Sequence, residues 1–199
     1  MNATREHLGL TPLDPALIYS YVGNGAPVLV KKAIGEDTPH PVLEDALAFF
    51  LRYYRAHALE HTRFYPGVRE SLERLSREGH TLSVLTNKPV RISRDIISAL
   101  NVSSLFHQIY GGDSFAAKKP DAIGVTTLLS ETHTPAGDAL LVGDSGVDVQ
   151  TARNAGVRCC GVSWGFQPEA FRQWPPDTII HRPEELVAMI ATYRFHSDG

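Results

Sequence analysis

Apolar positions along this chain follow two regimes. Up to about residue 62 they recur only at helical spacing. Asp14-Pro15 predicts a helix start, a capping carboxylate before a proline at the first helical position, with Leu17, Ile18 and Tyr21 on one face. Gly23-Asn24-Gly25 breaks that helix, and Pro27 opens another carrying Val28, Leu29, Val30 and Ile34. A third begins near Pro41, where Leu43, Leu47, Phe50, Leu51 and Tyr54 form a stripe.

From about residue 63 helix and strand alternate. Tyr65-Pro66-Gly67 predicts a turn, and Val68, Leu72 and Leu75 a helix closed by Gly79. Thr81 to Leu85 predicts a short apolar strand, and Ile92, Ile96, Ile97 and Leu100 the next helix. A weaker strand, His107 to Tyr110, ends at Gly111-Gly112-Asp113, and Ala122 to Leu129 predicts a helix. Ala139 to Val142 is the strongest strand candidate, stopping at Gly143-Asp144 before a helix over Val147 to Ala155. Strands at Arg158 to Val162 and Thr178 to Ile180, then a helix over Glu184 to Ile190, complete the pattern. Such alternation predicts an α/β fold, a Rossmann-like parallel sheet between two helical layers. The expected organisation is an α-helical unit over residues 1–62 and an α/β core over residues 63–199, divided near Arg63 to Gly67.

Composition narrows the function classes. The chain has 199 residues, 43% of them hydrophobic, and a formal net charge of -3. That balance calls for neither nucleic acid nor an anionic membrane as partner. No apolar run approaches the ~20 residues that span a bilayer, and Met1 to Leu10 is polar and mixed in charge, unlike a secretory signal. The only cysteines, Cys159 and Cys160, are neighbours with no second pair to build a framework, so they are read as core residues of a soluble, cytoplasmic protein.

In open parallel sheets ligands sit beyond the carboxyl ends of the strands, so the residues following each strand are the candidates. Thr86-Asn87-Lys88-Pro89 offers a hydroxyl and an amide suited to a phosphate oxygen, or simply caps for the next helix. Lys118-Lys119-Pro120-Asp121 places an ammonium near a helix start, against a phosphate and a carboxylate or in a solvated loop. Gly143-Asp144-Ser145-Gly146-Val147-Asp148 sets two carboxylates one helical turn apart. Hard oxygen donors of this kind suit Mg2+, and capping explains one aspartate better than two, which favours the metal reading. His57 and His61 share a helix face but lie at a helix end, where solvation is the expected state, and Trp164-Gly165-Phe166 reads as a packed loop or a mobile one at the site rim.

The order Thr-Asn, Lys-Pro, Gly-Asp-Ser-x-x-Asp resembles the haloacid dehalogenase superfamily, over essentially all of the chain. The stretches that carry the resemblance are Leu85-Thr86-Asn87-Lys88-Pro89, Gly111-Gly112-Asp113-Ser114, Lys119-Pro120-Asp121 and Val142-Gly143-Asp144-Ser145. Tyr21-Val22-Gly23-Asn24-Gly25-Ala26 looks like the cap domain of phosphoglycolate phosphatases. The resemblance implies a Mg2+-dependent phosphatase for a small phosphorylated acid, with 2-phosphoglycolate the first choice and another sugar-phosphate phosphatase or a phosphomutase as alternatives. Thr86 would hydrogen-bond the phosphoryl group beside Asn87, and Lys119 would neutralise it. Asp144 would bind Mg2+ directly, Asp148 would serve as second ligand or outer-shell support, and Gly23, Asn24 and Gly25 would lie near the substrate under a closing helical cap.

The family nucleophile lies in an Asp-x-Asp-Gly-Thr motif ending a first, central strand, and no such motif occurs in the 199 residues. Asp14, Glu36 and Asp37 stand in helical or turn context and are not substitutes. The expectation is therefore a reading frame or expressed segment shortened at an internal Met1, inactive as written. The alternative is a catalytically dead relative that binds a phosphate ligand or a protein. A monomer and a homodimer fit equally well.

Overall fold

The computed structural model describes residues 1–192. Four helices come first: α1 (Asn2–His7), α2 (Pro15–Ser20), α3 (Ala26–Ile34) and α4 (His40–His57). The amide of Ala16 donates to Asp14 Oδ1 at 2.7 Å, the N-cap that Asp14-Pro15 predicts. Val30, Ala46 and Phe50 form the buried seam between α3 and α4. The sequence pattern does not predict α1, because six residues are too few to show a stripe. Tertiary contacts hold it instead. Met1 and Leu8 pack on the α3–α4 seam, Thr4 is buried, and Asn2 exchanges two 3.0 Å hydrogen bonds with the Leu13 backbone.

The rest alternates as expected: α5 (Val68–Arg77), β1 (Leu82–Leu85), α6 (Val90–Ala99), β2 (Phe106–Tyr110), α7 (Ile123–Thr132), β3 (Leu140–Gly143), α8 (Gly146–Ala155), β4 (Arg158–Val162), β5 (Thr178–Ile180) and α9 (Pro183–Thr192). All strand pairings are parallel. They form two sheets, β1 with β2 and β3-β4-β5 in that order, with no hydrogen-bonded pairing between β1 and β3.

Helices hold the two sheets together. α7 packs on β1 and on α8, and α8 packs on β3 and β4. α5 packs on β1 and on α9, which covers β5. Beneath α7 and α8, Val125, Val149, Ala152, Val157, Cys159 and Phe171 form the main core, with Leu85 of β1 and Leu141 of β3 against it.

The inner edges are open by comparison with the paired interior. Cys159, Cys160 and Gly161 in the middle of β4 are buried, but no residue of β1 or β3 is, and Val142 is 43% exposed.

Both cysteines are free and buried, as core residues should be. Burial, with Asp148 and the neighbouring thiol adding to it, pushes the Cys159 thiol up to about 12, and burial pushes Cys160 up to about 11. Folded protein should therefore leave both thiols unmodified by Ellman's reagent at about pH 8, near the ordinary thiol pKa, and release two equivalents on unfolding. Rapid labelling of the folded chain would contradict this packing.

Candidate functional site

Three strand tips carry the site. β1 ends at Leu85, and the Thr86 amide donates to Tyr110 O at 3.0 Å, which ties the first tip to the second. Thr86 Oγ1 accepts from the Lys88 amide at 3.2 Å, closing the turn into α6 and leaving the hydroxyl proton to donate elsewhere. Asn87 is 7% exposed, and its Nδ2 donates to Gly23 O and to Lys119 O, both at 2.9 Å. These two carbonyls fix the amide orientation, since a flip would aim oxygen at oxygen. Asn87 Oδ1 is then buried without a hydrogen-bond partner. An orphan acceptor of this kind costs about 1–3 kcal/mol and marks a place where a donor belongs.

After β2, Gly111 and Gly112 turn the chain against the backbone of Asn87 and Lys88. The loop then delivers two lysines to different partners. Lys118 Nζ donates to Asn24 O at 2.6 Å, and Lys119 Nζ lies 2.6 Å from Asp148 Oδ1. The Lys119 and Asp148 side chains are 13% and 7% exposed.

After β3, Ser145 caps α8 in a capping box with Asp148. Asp148 Oδ2 accepts from Ser145 Oγ at 2.6 Å, from the Ser145 amide at 3.1 Å and from the Asp144 amide at 3.2 Å. With Lys119 on Oδ1, both carboxylate oxygens of Asp148 are engaged. A buried ion pair is tolerated when its remaining hydrogen-bonding capacity is met in this way. Asp144 is tied through one oxygen only, its Oδ2 accepting from the Phe166 amide at 2.8 Å.

The structure thus brings Thr86, Asn87, Lys119, Asp144 and Asp148 to one end of the sheets, and Gly23, Asn24 and Gly25 rest on the same loops. Gly25 has φ +85° and lies so close that an added Cβ would stand 3.1 Å from both Asn87 O and Lys118 Nζ. The donors fit Mg2+, which is commonly held by one or two carboxylates completed by water and phosphate oxygens. Among the described residues no group of three His, Cys, Asp or Glu side chains is arranged as a metal cage. His57 is exposed and pairs with Glu60 at 2.6 Å.

Two residues of the site, Lys118 and Gln167, escape the sequence reading, whereas Ser145 is the helix cap that the capping alternative expects. Lys118 holds Asn24, Ser145 holds Asp148, and Gln167 Nε2 donates to Ser20 O at 3.2 Å and Val22 O at 2.7 Å. Adjacent lysines do not reveal which one pairs with which group, although the capping pattern does signal Ser145. Nothing local signals Gln167, which crosses 145 residues to reach Val22. The Trp164-Gly165-Phe166 loop sits at the rim, and the packing expected of it fails for Phe166, which is 54% exposed against Tyr19.

A family model for haloacid dehalogenase-like hydrolases matches residues 1–162. A phosphoglycolate phosphatase of Pseudomonas syringae pv. syringae is 40% identical over 154 residues, 75% of this chain and 56% of that protein. One from Chromobacterium violaceum is 38% identical over 169 residues, 83% of this chain and 76% of that protein. The chain therefore spans 56% of the length of the first of these relatives. A crystal structure of a predicted phosphoglycolate phosphatase from Haemophilus somnus superposes with a TM-score of 0.88 at 28% identity, covering 94% of this chain and 87% of that one.

Gly165 permits the closest contact at the rim. A Cβ there would stand 2.1 Å from Asp144 Cβ and 2.3 Å from its Oδ2. Gly165→Ala should displace the loop and cost about 1–3 kcal/mol of stability by urea denaturation. An unchanged midpoint would show that the loop does not rest on Asp144.

Proposed function

The chain belongs to the haloacid dehalogenase-like hydrolases, and from that premise we propose that its site serves a Mg2+-dependent phosphatase acting on a small phosphorylated acid, 2-phosphoglycolate above others. The observation that carries this reading is the convergence of a hydroxyl, an ammonium and an uncommitted carboxylate oxygen at one end of the sheets, linked through the Lys119–Asp148 contact.

Each residue then has one task. Thr86 donates its hydroxyl proton to a phosphoryl oxygen. Asn87 holds the loop of Gly23 and the loop of Lys119 in register. Lys119 spends one proton on Asp148 and keeps two to neutralise phosphate and orient the attacking group. Asp144 is the direct Mg2+ ligand. Asp148, whose oxygens are already taken, positions Lys119 and the backbone of Asp144. When bound, Mg2+ supplies charge stabilisation at the phosphoryl oxygens.

The helical part acts as a cap. Asn87, Lys118 and Gln167 grip the carbonyls of Ser20, Val22, Gly23 and Asn24 from three loops. Lifting the segment around residues 20–25 would break these hydrogen bonds and open the strand tips to substrate, and its return would exclude water. No helix among the described residues is long and apolar enough to cross a membrane. The same reading takes the protein as cytoplasmic, a monomer or homodimer, with a small phosphorylated metabolite as its partner.

An aspartate attacking phosphorus, followed by water on the aspartyl-phosphate, is the chemistry this site would support. Residues 1–199 contain no Asp-x-Asp-Gly-Thr to supply it. That absence favours a second reading, a catalytically silent relative that holds a phosphate ligand or a protein partner.

Phosphate release from 2-phosphoglycolate with Mg2+ separates the two. Residues 1–199 should show no turnover above background. A chain extended upstream to carry the motif should hydrolyse the substrate, with Thr86→Ala losing about a hundredfold in kcat. Robust hydrolysis by residues 1–199 alone would overturn the requirement for an outside nucleophile. An inert extended chain that still binds inorganic phosphate would favour the silent relative.

A further inference from the structure

We propose that Lys118 reads the carboxylate of the phosphorylated acid, and so selects acids over phosphate esters with a neutral tail. Lys118 takes this role under the phosphatase reading above, in which Thr86 and Lys119 hold the phosphoryl group at the other end of the substrate.

The chain has five lysines, at positions 31, 32, 88, 118 and 119. Lys31 pairs with Glu36, and Lys119 with Asp148. Lys32 and Lys88 lie over the rings of Tyr21 and Tyr54, 5.7 and 5.5 Å from their centroids. Lys118 has neither kind of partner among the described residues. Its Nζ donates to Asn24 O at 2.6 Å. Asp121, further along the same loop, turns its Oδ1 to the Ile123 amide instead. A half-buried ammonium that meets a peptide carbonyl but no anion keeps its charge uncompensated and two of its three protons unspent.

That charge is held where the substrate would lie. Thr86, Lys118 and Lys119 line one cavity at the strand tips. The two lysines diverge from adjacent positions, Lys119 to Asp148 of α8 and Lys118 to the loop before α3. A Cβ on Gly25 would stand 3.1 Å from Lys118 Nζ and 3.1 Å from Asn87 O, so the ammonium hangs beside the residue that follows Thr86. Gly25 leaves that space open, since any side chain there would crowd the ammonium.

This placement defines the ligand. A phosphoryl group at Thr86 and Lys119 leaves Lys118 facing the rest of the molecule. A carboxylate there presents two acceptor oxygens to the two unspent protons, in charge-assisted hydrogen bonds. A hydroxyl or methyl tail leaves the ammonium without an anion, so the selection comes from a penalty on the wrong ligand as well as from a contact to the right one. The nearness of Lys118 to Asn87 calls for a short acid. Because Lys118 also holds Asn24, the side chain that reads the acid is one that secures the segment over the site.

Calorimetric titration of residues 1–199 in Mg2+ buffer, with 2-phosphoglycolate, ethyl phosphate and inorganic phosphate, tests this role. Ethyl phosphate keeps the phosphoryl group and the carbon chain but lacks the carboxylate. The unaltered chain should bind 2-phosphoglycolate about tenfold or more tighter than ethyl phosphate, as expected for hydrogen bonds to a charged group. Lys118→Met should bring the ratio to about one, and Lys118→Arg should retain most of the preference. A ratio between two ligands on one protein cancels any general loss from freeing Asn24. Gln167→Ala frees the same segment without removing a charge, and should keep the preference. A ratio near one in the unaltered chain, a preference that survives Lys118→Met, or one that disappears in Gln167→Ala would each overturn the role of Lys118, while binding of all three ligands in those cases would leave the phosphatase reading standing. No binding of any of the three would sink the phosphatase reading and the role of Lys118 with it.

Discussion

Lys119 and Asp148 lie 29 residues apart in sequence and meet at 2.6 Å in a nearly buried pocket. Much of the site depends on that contact. Asp148 spends its second oxygen on Ser145 and on the amide of Asp144, so the loop carrying Asp144 takes its position from the residue that Lys119 neutralises. Lys119 in turn gives its carbonyl to Asn87, which also holds Gly23 of the helical part. One ion pair therefore ties the β1–β2 sheet, the β3-β4-β5 sheet and the N-terminal helices into a single arrangement. Without it, a carboxylate that is 7% exposed would face the interior uncompensated.

The pair matters more because the strands themselves do not connect the two sheets. Continuity between β1 and β3 comes from the α7–α8 pair, which packs on both, and from the loops at the carboxyl ends. Helix-on-sheet packing supplies non-directional apolar contact, which fixes the layers but not the register of tips to within hydrogen-bonding distance. The directional interactions at the tips fix it. The same division fits the burial of the two strands, since no residue of β1 or β3 is buried.

Much of this was legible in the chain. Short apolar runs punctuated by glycine located the five strands of the described residues within a residue or two, and the spacing of Val68, Leu72 and Leu75 or of Ile92 and Ile96 located their helices, because each of those helices buries one face. The strand ends named Thr86, Lys119, Asp144 and Asp148 because ligand chemistry in parallel sheets gathers there. What escaped depends on distance in sequence. Helix α1 owes its existence to packing on α3 and α4, and six residues carry no period of their own. Gln167 and Lys118 act by meeting backbone carbonyls of residues 20–24, and no local pattern encodes such an encounter. The two oxygens of Asp148 are equally invisible in sequence, where an aspartate one turn after Asp144 reads as a ligand as readily as a support.

The most direct measure of the central claim is a double-mutant cycle on Lys119 and Asp148, using Lys119→Met, Asp148→Asn and the pair, with stability from urea denaturation. The account predicts that each single change is strongly destabilising, that the double change costs less than the sum, and that the coupling is about 2–3 kcal/mol. Additivity within about 0.5 kcal/mol would mean that the two side chains act independently, and the site would need another organising contact.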